Sequence, residues 1–332
     1  MTGWAAKHPW AFASGLAAVR EARMLPAGFF RQLIAEPGLD GVMHRLTETP
    51  LGERLHRPEE LRHADRHAAE HYSDCLDEMR RVCPDPRIAD VLALPHDFVS
   101  LKNFVKRRQM KLDVGDGSPS RYGEETWDRL WADLPTRLPG CFREAAARGR
   151  AALGAAPERP EALDVAVDSV SLKALRESAE QLGNEFVTGY FRRYDTAKGV
   201  EMLWRARLQQ AGEATERTIA DGRCEEAVFR ALLRMDEADW HEVLPVPMHG
   251  LGPGIHEPTK ALARLRAFAK AADEWLMAYA REAKRVPFGP ERVLGYLVGL
   301  EAELYNLKVA AAGRANDVPA DLLEGRLRAC YV

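Results

Sequence analysis

Three histidines recur at every fourth residue, His63, His67 and His71, with Glu70 and Asp74 beside them. That spacing stacks imidazoles on one helix face, where two of them come within reach of a single zinc ion. No His-Glu-x-x-His order accompanies them and their neighbours are polar, so a solvated helix face is the favoured reading. Asp236, Glu237, Asp239 and Glu242 form an acidic run that suggests a divalent-ion loop or a diphosphate-binding helix. The diphosphate motif needs Asp-Asp-x-x-Asp, of which Asp236 and Asp239 supply only part, and a charge run on a helix surface is expected instead. Lys102, Lys106, Arg107, Arg108 and Lys111 could touch phosphate or lipid head groups. They lack the interleaved aromatics on which bases stack, which argues against nucleic acid, and a solvated face beside an apolar stripe is expected. Gly250-Leu251-Gly252-Pro253-Gly254 imitates a phosphate cradle, but it contains proline and no Lys-Ser or Lys-Thr follows. No nucleophile elbow occurs either. No catalytic, cofactor-binding or metal-binding residue is therefore assigned.

The elements that would position these groups read as helices throughout. Ala, Leu, Arg and Glu abound and strict apolar alternation is nearly absent, which predicts an all-α fold. A first helix runs from Trp10 to a close at Pro26. A short second one carries Phe29, Phe30, Leu33 and Ile34 and ends at Pro37-Gly38. A turn at Thr47 to Gly52 leads to a long polar helix from His56 to Met79, stopped by Pro84 and Pro86. Leu94-Pro95 opens the next segment. Turns are expected at Gly115–Ser120 and Asp221-Gly222, and a connector around Pro245, Pro247 and Pro258. After Pro287 and Pro290, the residues Val293, Leu297, Leu300, Leu304, Leu307 and Ala311 draw one apolar seam along a long helix. Gly313 is placed to end it in a left-handed cap, and a final helix is expected to carry Leu323, Leu327 and Tyr331 on one side. Asn306 lies mid-seam, where a buried amide fixing helix register is favoured over a partner contact.

Charge and composition bound the remaining classes. The chain has 332 residues, a net charge of −3 and 46% hydrophobic residues, with a pI near 6.4. Two or three subdomains are expected from the length. The acidic balance argues against a bulk basic field for nucleic acid. No run of eighteen apolar residues exists to cross a membrane as a helix. Five cysteines (Cys75, Cys83, Cys141, Cys224, Cys330) without a Cys-x-x-Cys pair predict free thiols in a reducing cytoplasm. The start of the chain mimics a secretion signal weakly. Its apolar run flows into Arg20 to Leu25 at helical spacing, so a retained first helix is expected.

The order Glu301-Ala302-Glu303-Leu304-Tyr305-Asn306-Leu307-Lys308, then Gly313-Arg314, Val318-Pro319, Leu327 and Tyr331-Val332, is more specific than periodicity. It resembles the C-terminal signature of the C-type subunit of the A/V-type rotary ATPases, a relative of the d-type subunit of the eukaryotic vacuolar ATPase. The Arg-rich first helix and the turn before Leu51 resemble elements of that family too, with Leu51 where an aromatic is usual. One departure is Gly299-Leu300, where the family places a Lys, which puts a surface contact in question. An internal echo accompanies the resemblance. Asp97, Phe98, Leu101, Lys102 and Val105 repeat the offsets of Glu303, Leu304, Leu307, Lys308 and Ala311. A weaker copy starts at Asp195, with Gly199 where leucine would stand. The acidic residues lie 98 and 108 positions apart, the mark of a helical unit used three times. Boundaries follow at 1–126, 127–224 and 225–332. The resemblance implies that the three units form a funnel.

It also implies a non-catalytic socket of the rotor, joining central-stalk subunits of the D and F type to the proteolipid ring. On this reading the chain works without a cofactor, couples ATP hydrolysis or synthesis to H+ or Na+ transport, and lies peripherally on the cytoplasmic face of the membrane. Two alternatives of other classes are an α-helical metal-dependent enzyme built on the His or acidic runs, and a free helical scaffold.

Overall fold

The computed structural model describes residues 8–47, 49–50, 52–53, 58–114, 119–237, 239–244 and 261–332. Among them every regular element is a helix and no strand occurs. The helices are α1 (Ala11–Glu21), α2 (Ala27–Ala35), α3 (Leu39–Leu46), α4 (Ala64–Val82), α5 (Arg87–Met110), α6 (Glu124–Trp131) and α7 (Gly140–Ala155). There follow α8 (Pro160–Gln181), α9 (Glu185–Leu208), α10 (Glu213–Ala220), α11 (Glu226–Leu232), α12 (Ala261–Arg281), α13 (Pro290–Ala315) and α14 (Ala320–Glu324). No helix among the described residues is long and apolar enough to cross a membrane. Leu51, His56, Gly115–Ser118 and the Gly250–Gly254 connector lie outside the described residues.

The chain forms two compact units, one of residues 1–93, 116–119 and 277–332, the other of residues 94–115 and 120–276. In the first, α13 is the central helix. Its seam residues Val293, Leu297, Leu300, Leu304, Leu307 and Ala311 are all buried, and it packs chiefly on α4 and α1, with α2 and α3 beside them. In the second, α8 is central and packs on α7 and α9. Leu163, Val167, Val170, Leu175 and Ala179 carry its core stripe. Removing such a side chain to alanine costs about 2–5 kcal/mol.

Several boundaries differ from the sequence reading, each for a physical reason. α5 starts at Arg87 and runs straight through Pro95. A proline inside a helix costs about 3 kcal/mol, but Ile88, Leu92, Phe98, Leu101, Phe104 and Val105 along this helix are all buried. Their burial, about 1.5–3 kcal/mol for each large side chain, outweighs the lost hydrogen bond. The long polar helix starts only at Ala64, after a 3₁₀ segment Pro58–His63, and α3 between the second helix and the turn was not foreseen. Gly313 does not cap α13. A Cβ there would come 2.4 Å from Leu323 Cδ1, so its smallness serves the packing of α14. The left-handed residue is Asp317, at φ 51°, and the Val318 N–H donates to the Gly313 carbonyl at 2.9 Å, closing the helix by a six-to-one bond. The last helix ends at Glu324, and Leu327 to Val332 continue without helical structure.

Candidate functional site

The three acidic residues of the repeated motif are buried. Asp97 and Asp195 each stand ten residues after the start of a 24-residue helix. Asp97 accepts from the Arg121 guanidinium at 2.6 Å, from the Arg121 backbone N–H at 2.8 Å and from the Ser120 hydroxyl at 3.1 Å. Asp195 accepts from Arg223 at 2.8 Å and from the Cys224 backbone N–H at 2.9 Å. The Arg223–Asp195 pair is almost wholly enclosed, each side chain 1% exposed. In both cases a helix carboxylate holds the chain returning 24 to 29 residues later, through one arginine and a backbone N–H. Breaking such an enclosed pair from one side costs about 3–5 kcal/mol, because a bare charge is left behind. Gly199 of the weaker copy lies against Phe229, whose Cζ would be 2.6 Å from an added Cβ. The ring takes the space that a leucine would fill.

Glu303 is held differently. It accepts the Leu25 N–H at 2.7 Å, 278 residues back in sequence. Burial pushes its carboxyl up to about 7, against the pull of that hydrogen bond. One turn on, the Asn306 amide donates to the Arg328 carbonyl at 3.1 Å and accepts the Arg328 N–H at 2.8 Å. The buried amide thus mimics a strand neighbour for the terminal residues, rather than setting helix register. Arg281 donates to the Cys330 carbonyl, and Lys284 donates to the Tyr331 carbonyl at 2.8 Å. The Tyr331 ring covers Gly299, where an added Cβ would lie 2.5 Å from the tyrosine Cβ. The departure at Gly299 is therefore a packing requirement, and no surface contact is at stake there. Tyr331 donates its hydroxyl to Glu21 at 3.3 Å. Glu21 in turn pairs with Arg292 at 2.6 Å, and burial still leaves its carboxyl above the ordinary range.

Lys102 and Lys106 of the basic stretch do not face open solvent. Lys102 lies 2.6 Å from Asp168 and 3.7 Å from Asp164, and Lys106 lies 2.7 Å from Asp164, all across α5 and α8. Burial works against the Lys102 charge, but the two carboxylates outweigh it and hold the ammonium above its ordinary pKa. Arg107 pairs with Glu124 at 2.8 Å and Arg108 with Asp128 at 3.6 Å. These arginines line an open cleft of about 470 Å³ with Phe104, Lys111 and Glu125. A cleft so balanced in charge has no excess positive field for phosphate.

His63 is exposed and His67 half-buried, with its Nδ1 3.6 Å from Glu70. Among the described residues no three His, Cys, Asp or Glu side chains gather as metal ligands would. Of the acidic run, Asp236, Glu237 and Asp239 lie outside any helix and only Glu242 lies in a 3₁₀ turn, Trp240–Glu242. It is organised by the buried Trp240 beneath the Arg207 guanidinium, 5.0 Å from the ring centre. None of the five cysteines is joined in a disulfide. Burial pushes Cys83 up to about 12 and Cys224 to about 11, so neither is a ready nucleophile.

The arrangement holds helices and returning chain segments together through buried charge. Arg121, Arg223, Leu25 and Glu21 were not singled out from the sequence. An arginine at a similar distance after each of Asp97 and Asp195 was the available signal. A family model described as ATP synthase (C/AC39) subunit matches residues 13–326. No curated protein matches the chain.

Proposed function

The chain belongs to the ATP synthase (C/AC39) subunit family, and on that premise we propose that it is a non-catalytic socket of a rotary ATPase rotor. In this role it receives the soluble central stalk, of D and F type subunits, and rests on the proteolipid ring at the cytoplasmic face of the membrane. Rotation passes through it while ATP chemistry takes place on other subunits. The single observation that carries the reading is a family match over nearly the whole chain. The sequence adds support, because it contains no nucleotide cradle of its own.

We further propose that the chain is three related helical units, near 1–126, 127–224 and 225–332, set in a funnel. The shared burial of Asp97, Asp195 and Glu303 supports this, as does the arginine clamp common to the first two. Purifying the ATPase through a tag on a central-stalk subunit tests the role. The chain should accompany the stalk and the ring in stoichiometric amount, and complexes lacking it should hydrolyse ATP without pumping ions. Absence of the chain from intact, pumping complexes would overturn the reading.

A further inference from the structure

Two open clefts border α6, and their linings differ in charge. In the first, Glu124, Glu125 and Asp128 offset Arg107, Arg108 and Lys111. The second, of about 540 Å³, is lined by Tyr122, Thr126, Arg129, Thr136, Arg137 and Leu138, with Pro135 beside them. Small-molecule sites occupy roughly 300–1,000 Å³. Among the described residues no carboxylate lines this second cleft. Arg129 donates to the Pro135 carbonyl at 3.1 Å and pairs with no acid among the described residues. Arg137 is exposed and has neither an ion pair nor a hydrogen bond among them. The Thr136 hydroxyl is buried without a hydrogen-bond partner, a state that folded proteins rarely leave uncompensated. α7 begins just beyond Leu138, with no side-chain cap and no acidic residue in its first turn. Its dipole therefore adds to the positive potential at this end of the helix.

We propose that this cleft binds a phosphate monoester, its phosphoryl oxygens held by Arg129 and Arg137 and its organic body laid against Tyr122 and Leu138. One staggered rotation of Thr136 turns its hydroxyl into the cleft as a further donor. Charge chooses among the common anions. A phosphate monoester carries about −1.5 to −2 at neutral pH and matches two guanidiniums, whereas a carboxylate carries a single charge. The planar fork of arginine also meets phosphate oxygens in pairs. The neighbouring cleft lacks this excess, because its own carboxylates already occupy its cations. A soluble ester and the head group of a phosphatidic acid present the same group to these residues. The inference does not depend on the rotor role, since every residue named lies in the second compact unit.

The test is calorimetric titration of the purified chain with phenyl phosphate, whose ring and dianion probe both parts of the cleft. Flotation with phosphatidylcholine vesicles, with and without phosphatidic acid, runs beside it. Phenyl phosphate should bind, and benzoate, with the same ring and a single charge, should bind about tenfold or more weakly. Arg137→Gln should weaken phenyl phosphate about tenfold or more. Its melting temperature should not change, because this side chain has no partner among the described residues. Thr136→Val keeps the shape and removes a hydroxyl that is unbonded in the free chain, so it should weaken binding without lowering the melting temperature. Arg107→Gln, in the charge-balanced cleft, should bind as the unsubstituted chain does. Binding of the free ester that Arg137→Gln loses supports a soluble ligand. Flotation on phosphatidic acid that Arg137→Gln loses, with no binding of the free ester, supports the lipid head group. Failure of both probes would overturn the proposal. So would equal binding of benzoate, or binding unchanged in Arg137→Gln or Thr136→Val.

Discussion

Replacing Glu303 with glutamine should abolish the pH dependence that this carboxyl confers on the joint between α13 and the chain near Leu25. Its carboxyl is buried, has one backbone donor, and is pushed up to about 7 by desolvation. The nearby Cys330 thiol is itself pushed up, first by burial and then by this carboxylate, and its guanidinium neighbours are Arg281 and Arg31. In the folded state Glu303 keeps its proton to higher pH than in the unfolded chain. Protons are therefore released on unfolding, and stability falls as pH rises from about 4.5 to about 7, then levels off. At about 1.4 kcal/mol per pH unit this interval corresponds to about 3 kcal/mol. Glu303→Gln retains an acceptor for the Leu25 N–H and abolishes the titration, but buries an amide N–H₂ that costs about 1–3 kcal/mol if unpaired. The variant should thus be less stable than the parent below about pH 5 and equal or more stable at about pH 8. Its difference from the parent should swing by about 3 kcal/mol. Urea midpoints across that range, with hydrogen exchange at the Leu25 amide as the local readout, measure it. A difference that stays constant from about pH 5 to about pH 8 would refute the burial of an ionisable carboxyl at this position.

Four further outcomes are expected. Arg223→Met leaves Asp195 charged and enclosed, and should cost about 3–5 kcal/mol in urea unfolding, with Asp195→Leu in the same chain restoring much of it. Gly299→Lys forces a long side chain beneath Tyr331 and should lower stability by about 1–3 kcal/mol, read from the melting of the purified chain. Asn306→Leu removes both bonds to Arg328, so the last residues should become sensitive to carboxypeptidase while α13 stays protected from exchange. Leu304→Asp or Leu307→Asp places a charge in the buried seam. On the socket reading, reconstituted complexes that contain the variant should hydrolyse ATP but lose ion pumping, and proportional loss of both would count against it.

What the amino-acid sequence could disclose is local or compositional. The seam of α13, the absence of alternating strands and the turn at Gly222, which has φ 72°, are set by neighbours three or four residues away. Backbone geometry fixes such neighbours before any tertiary contact exists. The order from Glu301 to Tyr331 also disclosed the family, since side-chain identity at fixed spacing can be read without coordinates. Burial of charge could not be read in this way. Asp97, Lys102 and Glu303 have the composition of a solvated helix face. They are enclosed because partners from 23 to 278 residues distant come to meet them. Pro95 and Gly313 show the same limit. By their local preferences one opens a helix and the other closes one, yet burial along α5 carried the first through and Leu323 occupied the space beside the second. Packing free energy sums over a whole face, whereas propensity acts one residue at a time and is worth about 3 kcal/mol at most. For that reason the sequence determined that this chain is helical and to which family it belongs. Only the tertiary structure decided which of its charges became anchors.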